Sequence, residues 1–205
     1  MLINERNIKL WSSIGPRATL GLAINELSQS DDDLVVLTSD VSTSAGLDRF
    51  KKTYPEKYFD VGIAEQNLIG IAAGFSSENF NVITTTFAPF QVMRCCEQIK
   101  VNLGYMQHKI TMIGIASGLV LGNLGYTHCC IEDVGVLRSI PNLTIISPAD
   151  SLEVVKVLQA VLKSKNSSVY IRLTGGTNNP IVYDKDYDLE IGKSIELTNG
   201  DDITI

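Results

Sequence analysis

Between Leu34 and Leu173 the chain alternates strand-length apolar runs with segments whose apolar residues recur at helical spacing. The strand-length runs are apolar throughout, not at every second position, as in Val35–Thr38 and Ile110–Ile115. A strand covered on both faces reads this way, and strands joined through helices pair in parallel. The pattern therefore predicts an α/β fold, a parallel sheet of about six strands with helices on both faces. Strands are expected at Val35–Thr38, Phe59–Gly62, Val82–Thr86, Ile110–Ile115, Leu143–Ile146 and Val169–Leu173. Helices are expected near Arg17–Ser28, Glu65–Ser77, Pro89–Tyr105, Ile131–Ser139 and Ser151–Ser164. Pro16 and Pro89 stand where a helix start tolerates a missing N–H. Ser151 offers a cap to a stripe of Val154, Val155, Leu158 and Leu162.

The alternation stops after Pro180. YDKDYDLE reads as a polar, acidic linker, and IGKSIELTNGDDITI as a hairpin turning at Asn199–Gly200. Residues 1–180 are thus expected to form one domain, with a linker and a short C-terminal β fragment over 181–205.

A net charge of −6 over 205 residues argues against general nucleic-acid binding, because nothing neutralises a phosphate backbone. No apolar stretch reaches the roughly 18 residues that span a bilayer. The N-terminal MLINERNIKLWSS carries charges where a signal peptide needs an apolar core. A cytoplasmic protein without a membrane role is expected. The cysteines form two adjacent pairs, Cys95–Cys96 and Cys129–Cys130. Neighbouring side chains diverge, so reduced thiols are expected rather than a metal site. Two glycine patterns fail as phosphate loops. Gly192-Lys193-Ser194 lacks the upstream glycine and following helix, and Gly122 to Gly125 has no dinucleotide fingerprint around it.

One carboxylate stands where nothing around it favours charge. Glu65 follows a short apolar strand and opens a helix of Leu68, Ile69, Ile71, Ala72, Ala73 and Phe75. A helix apolar on every side is expected to be buried. The helix dipole favours an acid at that turn, while desolvation penalises it. Such a group either caps backbone N–H groups or has a specific partner or a raised pKa, and the latter outcomes suit proton chemistry. Ligands of open parallel sheets bind beyond the carboxyl ends of the strands. That edge collects Ser39-Asp40, Glu65, Phe87, Phe90, Met93, Ser117, His128 and Thr174-Gly175. Phe87 and Phe90 are ordinary core by pattern alone, but beside Glu65 they would stack on a flat ring. His128, in a loop, reads either as a structural histidine or as a functional one.

The run YFDVGIAEQNLIGIAAG, Tyr58 to Gly74, resembles the pyrimidine-binding domain of thiamine-diphosphate enzymes of the transketolase family. The likeness extends from about Arg17 to Pro180 and is greatest to the separately encoded C-terminal section of a split transketolase. The resemblance implies that Glu65 bonds the cofactor's aminopyrimidine and that Phe87, Phe90, Met93 and Asp40 help to bind the cofactor. It makes His128 a catalytic and sugar-contacting residue and places Arg17 and Ser44 near a sugar phosphate. A tyrosine often stands where this chain has Met93. The implied reaction transfers a two-carbon ketol unit from a ketose to an aldose.

No Gly-Asp-Gly, the family's diphosphate-and-magnesium motif, occurs in the chain. The resemblance therefore implies that Mg2+ and the diphosphate are held mainly by a partner N-terminal transketolase-type subunit. Self-association as a dimer or heterotetramer is also implied. Three departures alter the substrate site: Gly122-Asn123-Leu124-Gly125 before the loop histidine, Ala116 where a histidine is expected, and Thr174-Gly175 where an arginine is expected. A modified or non-standard sugar fits those losses. Alternatives are a deoxyxylulose-phosphate synthase-like subunit, a 2-oxoacid dehydrogenase β-type subunit, or a non-catalytic regulatory partner.

Overall fold

The computed structural model describes residues 1–164 and 167–203. Six parallel strands form one sheet: β1 (Leu34–Thr38), β2 (Tyr58–Asp60), β3 (Asn81–Phe87), β4 (Ile110–Ile115), β5 (Leu143–Ile146) and β6 (Ser168–Arg172). Their order is β2-β1-β3-β4-β6-β5. Alternate residues of each strand feed two cores, as the pleat requires. Leu34, Val36, Ile83, Ile113 and Ile171 pack beneath α1 (Glu5–Leu27), α2 (Asp48–Thr53) and α7 (Ser151–Ser164). Val35, Leu37, Val82, Met112 and Tyr170 pack on the other side beneath α3 (Glu65–Ser77), α4 (Ala88–Val92), α5 (Cys96–Ile99) and α6 (Asp133–Leu137). No helix of the described residues is long and apolar enough to cross a membrane.

Two helices match the sequence expectation at both ends, α3 and α7. α1 begins twelve residues before the expected Arg17, at Glu5, where the Asn4 side chain accepts a hydrogen bond from Asn7 N (2.9 Å). The Gly15-Pro16 pair hid this extension. Gly15 is non-helical (φ 81°), and Pro16 has no N–H to give the preceding turn. The freed carbonyls of Ser12 and Ser13 accept from Asn179 N and Asn178 N instead, both at 3.0 Å. The kink thus ties the chain beyond β6 back to α1, and it makes Arg17 an early residue of the second helical half. A second close approach fixes the loop after β1. A Cβ on Gly21 would lie 2.0 Å from the Gly46 carbonyl oxygen.

Three expectations need correction. The single helix predicted over Pro89–Tyr105 is broken into α4, a turn at Met93–Cys95, α5 and a π-helical turn at Lys100–Tyr105. At the break Arg94 N reaches back five residues to Pro89 O (3.4 Å), and the Cys95 thiol donates to Phe90 O (3.3 Å). The helix of Glu65 is buried on one side only: Gln66, Asn67, Gly70 and Gly74 are exposed. The hairpin expected around Asn199–Gly200 carries no strand among residues 191–203, and the rest of its second strand lies outside the described residues. A two-stranded ribbon with no core to cover is not stable alone. The preceding linker is nonetheless docked: Asp150 Oδ2 accepts from Val182 N and Tyr183 N (both 2.9 Å), and Lys156 pairs with Asp186 (2.7 Å).

The two kinds of glycine make opposite predictions. Gly21→Ala forces α1 off the Gly46 loop and is expected to cost about 1–3 kcal/mol in urea denaturation. Gly70 has nothing within 4 Å of an added Cβ. Gly70→Ala is expected to raise stability by about 0.5–1 kcal/mol, since helical glycine is entropically unfavourable. Equal effects at the two positions would contradict this packing.

Candidate functional site

The carboxyl ends of β1, β2, β3 and β4 converge on one edge, as sheet topology predicts for a binding site. Ser39, following β1, shapes the approach to Glu65. Its hydroxyl donates to Gly62 O and accepts from Ala64 N (3.1 Å), holding the turn before α3. Glu65 then enters as the first residue of α3 with only 4% of its surface exposed. Its Oε2 lies 2.7 Å from Nη1 of Arg94. Of the readings open for this acid, a specific partner is the one realised.

Arg94 joins the acid to the aromatics. Its guanidinium carbon lies 4.2 Å from the centre of the Phe90 ring, and its backbone carbonyl accepts from Gln66 Nε2 (3.0 Å). A guanidinium over an aromatic face is held by the ring quadrupole as well as by its anion. Phe90 meets Phe87 edge-on at 6.1 Å between ring centres, and the His128 ring at 5.4 Å. Phe87 and His128 are 6.3 Å apart. The His128 Nδ1 is 3.0 Å from the Thr127 hydroxyl. Glu65, Arg94, Phe90, Phe87 and His128 therefore form one continuous constellation, buried at the acid and partly open at the rings.

The remaining expected residues are placed as follows. Arg17 Nη1 donates to Ser44 O (3.4 Å), so those two stand together, both partly buried. Asp40 is exposed with a left-handed backbone (φ 54°), and its N–H donates to Asp60 Oδ1 (3.0 Å). Met93 is 47% exposed at the broken end of α4. Neither Asp40 nor Met93 makes a side-chain bond to the acid–aromatic constellation among the described residues.

Two thiols flank the site without reactive character. Burial, reinforced by the Glu65 charge and opposed by Arg94, pushes Cys95 up to about 12. Burial followed by the Asp133 and Glu132 charges does the same for Cys130, to about 12. All four cysteines are free. Among the described residues no group of three His, Cys, Asp or Glu stands close enough to hold a metal ion.

Arg94 is the residue that sequence reasoning missed. Its spacing of four from Phe90 is a helical neighbour relation, and a buried acid needs a counter-charge. What concealed it was the assumption of a straight helix through Pro89–Tyr105, which leaves the turn that aims Arg94 at Glu65 unseen.

Residues 12–178 match the family of the transketolase pyrimidine-binding domain. The chain is 36% identical over 181 residues to one subunit of the apulose-4-phosphate transketolase of Phocaeicola vulgatus, covering 88% of this chain and 57% of that protein. It is 33% identical over 180 residues to a 6-deoxy-6-sulfo-D-fructose transketolase subunit of a Clostridium species, covering 88% and 55%. A solved structure described as a split gene transketolase, inactive beta4 tetramer, superposes with a TM-score of 0.81 at 33% identity, covering 92% of this chain and 60% of that one. The chain thus spans a little over half the length of the curated relatives it matches. With the family match over residues 12–178 and the superposition at 33% identity agreeing, the chain belongs to the transketolase family through its pyrimidine-binding domain.

Proposed function

We propose that this chain is a subunit of a thiamine-diphosphate-dependent transketolase that moves a two-carbon ketol unit from a modified ketose to an aldose. The observation that carries the reading is a 4%-exposed carboxylate beside a partly open aromatic face. The residues fit the aminopyrimidine end of that cofactor, and Arg94 is the gauge. A flat, N–H-bearing cation already stands 2.7 Å from the acid and 4.2 Å over Phe90. A planar ring with the same donors asks for the same two contacts, so the Arg94 guanidinium, 44% exposed, would swing aside as the ring enters.

When bound, the cofactor supplies a thiazolium carbon that loses a proton and becomes the nucleophile. Glu65 would hold a proton at the ring's N1′, biasing the tautomer that takes the thiazolium proton. Low exposure makes that proton's position count for more than it would in water. Phe87 and Phe90 would orient the ring and keep water from its face. His128, packed on both rings, would meet the sugar's polar end. Arg17 and Ser44 would receive a substrate anion at the rim.

The diphosphate end does not fit this chain. Its 205 residues contain no Gly-Asp-Gly, and the described residues offer no cluster of metal ligands. A partner chain carrying the diphosphate-binding domain would supply that half. Gly70 and Gly74 support such a partner: both are exposed on α3, and neither is required by this chain's own packing. Ile63, 78% exposed before the same helix, adds apolar surface there. Two relatives are named for apulose-4-phosphate and for 6-deoxy-6-sulfo-D-fructose, neither an ordinary pentose phosphate. Together with Ala116 and Thr174-Gly175, this favours a modified sugar.

Glu65→Gln in the complex reconstituted with such a partner is expected to lower turnover about 10²–10⁴-fold. Unchanged turnover would favour a non-catalytic role. Xylulose 5-phosphate with ribose 5-phosphate is expected to react more slowly than a branched or sulfonated sugar, and full ordinary turnover would overturn the substrate assignment. A second test needs no partner. Arg94→Ala leaves Glu65 buried without its cation; Arg94 is 44% exposed, so the expected loss is about 1–2 kcal/mol rather than the larger cost of a fully buried pair. Combining it with Glu65→Gln should recover part of that loss, and purely additive effects would mean that the pair is not coupled.

A further inference from the structure

A second buried acid lies behind the site, and the chemistry above makes no use of it. Asp133, the first residue of α6, is 0% exposed. Its Oδ2 accepts from Tyr170 OH and Arg172 Nε, both at 2.9 Å; its Oδ1 accepts from Arg172 Nη2 (3.2 Å) and from Val134 N (3.0 Å). Four donors converge on one carboxylate in the interior. Removing either partner of such a buried pair is costly, while an apolar replacement of both is often neutral. A network of this kind is explained by fixing one arrangement rather than by adding stability.

The arrangement it fixes can be read from its neighbours. Residues 119–129 form a loop whose regular structure is one short turn at Gly122–Leu124, with Leu119 71% and Tyr126 85% exposed. Its base is closed by Gly118 and Cys130, which exchange two backbone hydrogen bonds of 2.7 and 2.8 Å. Arg172 Nη2 lies 4.0 Å from where a Cβ on Gly118 would sit, so the guanidinium stands beside that closure. Tyr170 reaches Asp133 by crossing β4 at Gly114, where a Cβ would lie 2.4 Å from its hydroxyl oxygen. Strands β4 and β6, α6 and the loop base therefore meet at one carboxylate. His128 stands two residues before Cys130, with its ring against Phe90 and Phe87.

We propose that Asp133, through Arg172 and Tyr170, is a positioning residue that sets the His128 loop against the two phenyl rings. The proposal rests on the reading of His128 as the residue facing the sugar, and it adds the device that aims it. The device holds one setting. Burial raises Tyr170 well above its ordinary value, and the Asp133 hydrogen bond raises Arg172, so near neutrality the first stays protonated and the second charged.

The chain contains only two histidines, which makes a direct test available. With ring-labelled histidine, the 205-residue chain should give one resonance from His128 and one from His108, which precedes β4 at the opposite end of the sheet. Asp133→Asn is expected to shift or broaden the His128 signal and leave His108 in place. Both signals unmoved in a folded variant would overturn the proposal. Should Asp133→Asn unfold the chain, both signals move to their denatured positions, and Tyr170→Phe, which removes one donor, decides. A moved His128 with a fixed His108 supports the proposal, and two unmoved signals reject it. The functional reading fails separately: His128→Asn with full turnover in the reconstituted complex would remove the sugar contact and leave the positioning intact.

Discussion

A carboxylate at 4% exposure cannot stand alone, and the way this chain satisfies Glu65 organises the whole edge of the sheet. The acid's cation, Arg94, arrives from a different connection than α3, the one following β3. Bringing it there breaks the segment after β3 at Met93–Cys95, turns the Cys95 thiol inward to Phe90 O, and lays the guanidinium on Phe90. Phe90 in turn carries the edges of Phe87 and His128. One desolvated charge is thus linked through Arg94 and Phe90 to a helix break, an aromatic cluster and the seat of a loop histidine.

Much of this was legible in the sequence. The fully apolar strands announced a sheet covered on both faces, and α3 and α7 were bounded correctly. The former had an acid at its start, the latter a clean apolar stripe; the cap of α7, however, is not the expected Ser151 but Asp150, whose Oδ1 accepts from Glu153 N (2.8 Å), while Ser151 is already the first helical residue. Where reading failed, local pattern was overruled by something distant. Pro16 does open a helical segment, the second half of α1, but the half before Gly15 was hidden, because Asn178 and Asn179 replace the hydrogen bonds that the kink releases. The segment after Pro89 keeps helical periodicity through a break at Met93–Cys95, where Arg94 turns toward Glu65. The hairpin expected near Asn199–Gly200 shows no strand among residues 191–203.

The candidate site divides in the same way. Glu65, Phe87, Phe90 and His128 could be assembled from strand ends and residue type, since topology alone brings strand ends together. Arg94 and Asp133 could not, because both act through partners on other elements: Arg94 on Glu65, Asp133 on Tyr170 and Arg172. Charged residues in apolar segments are visible in a sequence, but their pairing is a property of the fold. Gly70 and Gly74 of α3 can likewise be seen in the sequence, but that they face solvent is a property of the fold. They are costly in a helix, and nothing in this chain's own packing requires them.

In the proposed reaction Glu65 would govern a proton on the aminopyrimidine and thereby the proton on the thiazolium carbon. Exchange of that carbon-bound proton with deuterated water, followed in the cofactor-loaded complex, isolates this step from sugar binding and turnover. Glu65→Gln is expected to slow the exchange about 10²–10⁴-fold while the cofactor stays bound. Exchange at the native rate in the variant, with cofactor binding equal, would contradict the account.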